Sequence, residues 1–273
     1  MVVTETASRP LGMFDSGVGG LTVARAVIDL LPHEDLVYFG DSARLPYGPR
    51  EEAEVRKFAL EIMDALMQER VKMLVVACNA ASSTALDEAE ERYDVEIVGV
   101  IEPGLRAALA ATRNRRIGLL GTEVTVGSGS YNRALEATRT NVALHSVACP
   151  RFVEFVERGD TTSAEVIEAA QTYLAPLKAK GVDTVILACT HYPLLAGVID
   201  YVMGEEVVLI SSAEATAHEV YRRLMDRRLL NPSNRPGRHR FIASSERGIS
   251  SELGRRFLGP EFNEVEHRPW DRP

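Results

Sequence analysis

LVVACNAAS, residues 74–82, runs from apolar β-formers into Cys78 and then into small and polar side chains. A short β-branched run closed by such a change is expected to be a buried strand passing into a helix. VILACTHYP, residues 185–193, repeats the device, with Cys189 in the same place. A buried cysteine in a strand is ordinarily core packing. Two at matching strand ends, each before a helix, call for a different account.

Working outward, further strands are expected at 11–14, 35–40, 73–78, 96–101, 116–121, 142–148, 184–189 and 206–212. Amphipathic helices are expected at 21–31, 51–70, 82–93, 163–180 and 212–228, with Ser82 or Ser83 as the N-cap of the third. Strand alternating with helix implies an α/β fold with a mostly parallel sheet covered on both faces. Ligands then bind at the carboxyl ends of the strands. Asp15, Ser16, Cys78, Asn79, Thr122 and Cys189 to His191 all fall at such ends.

A weak internal repeat supports two similar domains. LGMFDS (11–16) aligns with IGLLGT (117–122), placing Gly12 on Gly118 and Ser16 on Thr122, and Cys78 then matches Cys189. The expected architecture is two such domains related by a pseudo-twofold, with the site in the cleft between them. Pro103-Gly104 breaks the pattern and marks the first boundary. The second falls near 210–212, giving one domain of 1–100 plus 211–273 and another of 101–210. A strand at 240–245 and a short helix at 249–259 are expected near the end of the chain.

The 273 residues carry a net charge of −8, which argues against a nucleic-acid partner. The arginines of RPGRHR (235–240), with Arg255 and Arg256, are expected to form a solvated basic patch. Three cysteines without a Cys-x-x-Cys pair are not a secreted disulfide framework. No apolar run approaches the roughly 20 residues of a membrane helix. MVVTETASRP lacks the features of a signal peptide. A cytoplasmic protein without a membrane partner is expected.

A helix N-terminus stabilises thiolate, so both strand-end thiols are expected to titrate lower than usual. Asp15 and His191 supply one titratable group beside each. Either could also serve as turn chemistry. The glycines of DSGVGGLT are expected to let backbone N–H groups approach a small anion such as a carboxylate. Cys149 is expected to pack in the core. The four lysines, Lys57, Lys72, Lys178 and Lys180, are placed in or beside polar helical stretches, away from strand carboxyl ends. Pyridoxal chemistry, which needs a Schiff-base lysine, is therefore not expected. A metal held by Cys78, Cys189 and His191 lacks an evident fourth ligand.

Together, MFDSGVGGLTV (13–23), GDSARLPYGPR (40–50), VVACNAAS (75–82), GVIEPG (99–104), IGLLGTEVTV (117–126), CPRFVEFVE (149–157) and LACTHYPLL (187–195) resemble the glutamate racemases of bacterial peptidoglycan synthesis. The resemblance implies racemisation without a cofactor by two cysteines, Cys78 acting on the D-isomer and Cys189 on the L-isomer. It implies that Asp15 assists the first, and that His191 and Glu157 assist the second. It also implies substrate contacts from Asp15, Ser16, Pro46, Tyr47, Gly48, Asn79, Ala80, Thr122, Thr190 and His191. A homodimer is implied as well. Ala80 stands where the family often has Thr, and Glu154 where it often has Pro. A racemase of aspartate or a hydantoin, and a non-catalytic two-domain ligand binder, are the competing readings.

Overall fold

The computed structural model describes residues 2–245, 251–259, 262 and 264–270. Its strands are β1 (Leu11–Asp15), β2 (Leu36–Gly40), β3 (Met73–Val76), β4 (Glu96–Gly99), β5 (Arg116–Gly121), β6 (Ala143–Ala148), β7 (Thr184–Ala188), β8 (Val208–Ser211), β9 (His239–Ala243) and β10 (Val265–His267). They form two parallel sheets, ordered β10-β9-β2-β1-β3-β4 and β6-β5-β7-β8. The cores of the two sheets, β2-β1-β3-β4 and β6-β5-β7-β8, have the same connectivity. The expected repeat is therefore present as topology: β1 corresponds to β5 and β3 to β7.

The helices of the first half are α1 (Val2–Ala7), α2 (Leu21–Leu30), α3 (Glu52–Gln68), α4 (Asn79–Arg92) and α5 (Ile101–Ala111). Then come α6 (Glu123–Gly127), α7 (Ser130–Ala137), α8 (Pro150–Glu157), α9 (Ala164–Lys180), α10 (Ala196–Met203), α11 (Ser212–Asp226) and α12 (Ser251–Leu258). β1, β2, β3 and β7 are buried along their whole length. A parallel strand covered on both faces is apolar throughout rather than alternating. α11 turns Ala213, Ala217, Val220 and Leu224 inward and packs against both α2 and α5.

Several expectations are corrected. The third helix begins at Asn79, and Cys78 itself is its N-cap. Ser82 and Ser83 lie inside that helix, where their hydroxyls donate to the carbonyls of Val76 and Ala80. Small side chains let the helix start directly at the strand end. Pro103-Gly104 does not break the chain but sits in the first turns of α5. A proline there removes only an N–H that has no intrahelical partner.

Lys72 is not in a polar helical stretch. It is buried before β3, with Nζ 2.5 Å from Glu34 Oε2 and donating to the carbonyls of Ala7 and Leu229. The arginines of 235–240 are solvent-accessible as expected, but two of them are matched by acids rather than forming a free basic patch. Arg235 makes a two-pronged pair with Asp35, and Arg240 pairs with Glu69 and Glu266. The expected short helix appears as α12, while residues 249 and 250 lie outside the described residues.

Candidate active site

Parallel register carries the two cysteines to equivalent places. Phe14 of β1 pairs with Val76 of β3, and Gly121 of β5 pairs with Ala188 of β7. Cys78 and Cys189 therefore lie just beyond the carboxyl ends of β3 and β7. Both line one cavity between the halves, only about 20 Å³ in volume. Ser16, Asn79 and Ala80 line it from the first half, and Thr122, Thr190 and His191 from the second. Pro46, Tyr47 and Gly48 close one side. A space of this size holds about one water, so the site must widen to admit an amino acid. An outer cavity of about 460 Å³ adjoins it, sharing Pro46, Gly48, Thr122 and Val153 and reaching Glu157.

The first half supports Cys78 with small groups. Its Sγ lies 3.7 Å from Ser16 Oγ. Burial pushes its thiol well up and the negative charge of Asp15 adds to this, outweighing the N–H groups of Ala81 and Ser16. The expectation of a lowered thiol is thus corrected for Cys78. The helix N-terminus favours thiolate, but excluding water costs more. Asp15 lies fully buried behind the cavity. It accepts from Gly17 N at 3.1 Å and from Thr190 Oγ1 at 3.3 Å. Burial raises its carboxyl, opposed by the nearby His191 and by the N–H groups of Gly20 and Gly17. Asp15 therefore both holds its turn and reaches across to the second half.

The second half supports Cys189 with a relay. Its Sγ lies 3.9 Å from His191 Nδ1, and His191 Nε2 lies 2.7 Å from Glu157 Oε1. Burial alone would depress this imidazole. Its bonds to Cys189 and Glu157 more than compensate and raise it to about 10. Thiol, imidazole and carboxylate in sequence are the arrangement of an activated nucleophile or base. Glu157 lies outside the inner cavity and touches it only through its bond to His191.

Two glycines of DSGVGG also have a packing use. A Cβ at Gly19 would lie 2.3 Å from Thr190 Oγ1 and 2.7 Å from His191 Nδ1. One at Gly20 would lie 2.4 Å from Asp15 Cβ. The loop is bare so that the two halves can meet at Asp15, Thr190 and His191.

Further supports escaped the sequence. The buried Tyr47 hydroxyl donates to Asp41, which also accepts from Ser244 Oγ and from Trp270 Nε1, each at 2.8 Å. The guanidinium of Arg44 stacks over Trp270, 4.1 Å from the ring centre. Phe257 of α12 meets the His191 ring edge-on. Residues near the end of the chain thus back both the 46–48 loop and His191, although nothing local in the tail marks them. Cys149 is fully buried in the core as expected. Among the described residues no group of acids, histidines and cysteines is placed to hold a metal. No helix among them is long and apolar enough to cross a membrane.

Comparison with known proteins places this chain among racemases. Residues 21–220 match the family model described as Asp/Glu/Hydantoin racemase. A glutamate racemase of Acidothermus cellulolyticus is 54% identical over 257 residues, covering 94% of this chain and 97% of that one. The crystal structure of glutamate racemase from Francisella tularensis in complex with D-glutamate superposes with a TM-score of 0.89 at 31% identity, covering 97% of this chain and 99% of that one. That of Thermus thermophilus, in complex with β-chloro-D-alanine, gives 0.85 at 42% identity, covering 96% and 98%.

Proposed function

The chain belongs to the Asp/Glu/Hydantoin racemase family, and from that membership we propose that it interconverts L- and D-glutamate with Cys78 and Cys189 as opposed acid and base. The observation that carries this reading is the opening of both thiols onto one small cavity from two topologically equivalent strand ends. Inverting a carbon in place requires a proton acceptor on one face and a donor on the other.

With L-glutamate bound, the Cys189 thiolate takes the α-proton. The C–H bond breaks, an S–H bond forms, and the electron pair spreads into the α-carboxylate. The Cys78 thiol then delivers its proton to the opposite face, giving D-glutamate, and the reverse direction exchanges the roles. Protonated His191, held by Glu157, stands with Nδ1 3.9 Å from the Cys189 sulfur. The raised thiol of Cys78 suits a proton donor in this direction. Ser16, Pro46, Tyr47, Gly48, Asn79, Ala80, Thr122 and Thr190 line the space around the substrate, and Asp15 supports the Cys78 side. Without an electron sink, proton removal depends on fixed donors at the carboxylate and on excluding water, which a cavity this small does once closed.

No cofactor takes part in this scheme. The two sheets are proposed to form two domains, 1–100 with 211–273 and 101–210, whose separation admits the substrate. A cytoplasmic homodimer supplying D-glutamate for peptidoglycan is part of the same proposal. The test is optical inversion together with solvent deuterium exchange at the α-carbon, run separately on glutamate and aspartate. Inversion of glutamate is expected. Turnover of aspartate alone would reassign the substrate, and turnover of neither would defeat the enzyme reading. A substrate-bound crystal structure should place the two sulfurs roughly 7–8 Å apart, about twice a proton-transfer contact.

A further inference from the structure

We infer that Tyr131 is a positioning residue that turns the Asn79 carboxamide so that its N–H group, not its oxygen, meets the substrate, making this corner of the cavity a reader of the α-carboxylate. The inference rests on the glutamate-racemase reading of the site and names a residue that reading does not use.

Asn79 opens α4 immediately after Cys78, and Tyr131 lies in the first turn of α7, in the other half of the molecule. Both are buried, at 3% and 1% exposure. The Tyr131 hydroxyl donates to Asn79 Oδ1 at 2.8 Å. The phenol decides which way the carboxamide faces. Asn79 Oδ1 is the acceptor it reaches. If the carboxamide were reversed, Nδ2 would donate to the phenol oxygen and the phenol proton would be left buried without an acceptor.

In the orientation found, the group left over is Nδ2. It is buried and has no hydrogen-bond partner among the described residues. Asn79 lines the inner cavity, so this free donor belongs to the site. An N–H group can serve only an acceptor. The substrate ammonium is excluded, and the carboxylate nearest the carbon that Cys78 serves is the α-carboxylate. That group gathers negative charge as the α-proton leaves, so a fixed donor there acts most strongly in the transition state. Because the bond spans both halves, Asn79 is oriented only when the halves are docked.

A double-mutant cycle on the full chain tests this, with kcat and KM measured in both directions. Tyr131→Phe is expected to lower kcat/KM by roughly 3- to 10-fold, the worth of one neutral hydrogen bond. In an Asn79→Ala background the same change should cost less than about twofold, because there is no carboxamide left to orient. An equal loss in both backgrounds would show Tyr131 to be merely structural and overturn the assignment.

Asn79→Asp gives a second readout that survives if Tyr131→Phe fails to fold. The phenol can still donate to an aspartate, but an anion then faces the substrate. Calorimetry should show D-glutamate binding weakened by at least tenfold. Unchanged or tighter binding would mean that this position reads the ammonium, and would overturn the inference. A wild-type chain that does not invert glutamate ends both readings. One that inverts it with an additive cycle ends only this one.

Discussion

Cys78 and Cys189 follow corresponding strands of two sheets with the same connectivity, yet their surroundings share little. Around Cys78 the protein places a serine hydroxyl, backbone N–H groups and a buried carboxylate that pushes the thiol up. Around Cys189 it places an imidazole whose far nitrogen is tied to Glu157. Equivalent backbone positions therefore do not bring equivalent chemistry. The topology sets where the two sulfurs stand, and side chains from neighbouring elements set what each of them meets. A site that must work in both directions can be built this way, with one sulfur resting protonated and the other facing a positive charge.

The largest effect should come from removing either member. Cys78→Ala and Cys189→Ala are each expected to lower racemisation by at least ~10³-fold, as befits the loss of an acid–base group. Circular dichroism of the substrate reads this directly. If either variant kept more than a tenth of the wild-type rate, the opposition of the two sulfurs would not be the mechanism.

The next changes should act on one side only. Glu157→Gln removes the anion behind His191 and is expected to slow turnover by roughly 10- to 100-fold, the range for a bond to a charged group. His191 is raised to about 10 in the folded protein. Its stabilising contribution is complete below the unfolded histidine value of about 6.5 and is lost as pH rises through about 10. In Glu157→Gln the basic limb of the pH–rate profile should therefore move to lower pH. Asp15→Asn should act on the other sulfur. Burial remains the main cause of the raised Cys78 thiol, but removing the negative charge beside it lowers that thiol, so the D-to-L direction should switch on at lower pH. Identical profiles for the two variants would mean that the halves are not chemically distinct.

The smallest effect on turnover is expected from Lys72→Met, at the amino ends of the strands. It should leave kcat within about twofold while costing about 3–5 kcal/mol of stability, because Glu34 would remain buried without its partner. Urea unfolding beside steady-state kinetics separates the two. A loss of kcat without a loss of stability would mean that the far end of the sheet communicates with the cleft.

Much of this was legible in the chain. Apolar runs such as 73–78 and 184–189 announce parallel strands, because strands covered on both faces need apolar side chains throughout. The residues just past them announce the site, because that is where such sheets bind ligands. Ser82, not Cys78, reads as the cap, because a cysteine is not a usual N-cap residue and carries no such signal. Lys72 reads as a polar surface residue because nothing local tells that Glu34, thirty-eight residues earlier, is folded against it.

By itself, the sequence determined the two strand-end cysteines, the α/β alternation and the doubled topology, since these are local patterns of polarity and size. Only the tertiary structure decided the rest. It set the burial that raises Cys78, the Glu157–His191 bond, and the bare glycines that let Asp15 meet Thr190. It brought Trp270 from near the end of the chain to Asp41, and Tyr131 from the other half to Asn79. Hydrogen bonds and desolvation depend on which groups meet in space, and those groups come from elements far apart in the chain.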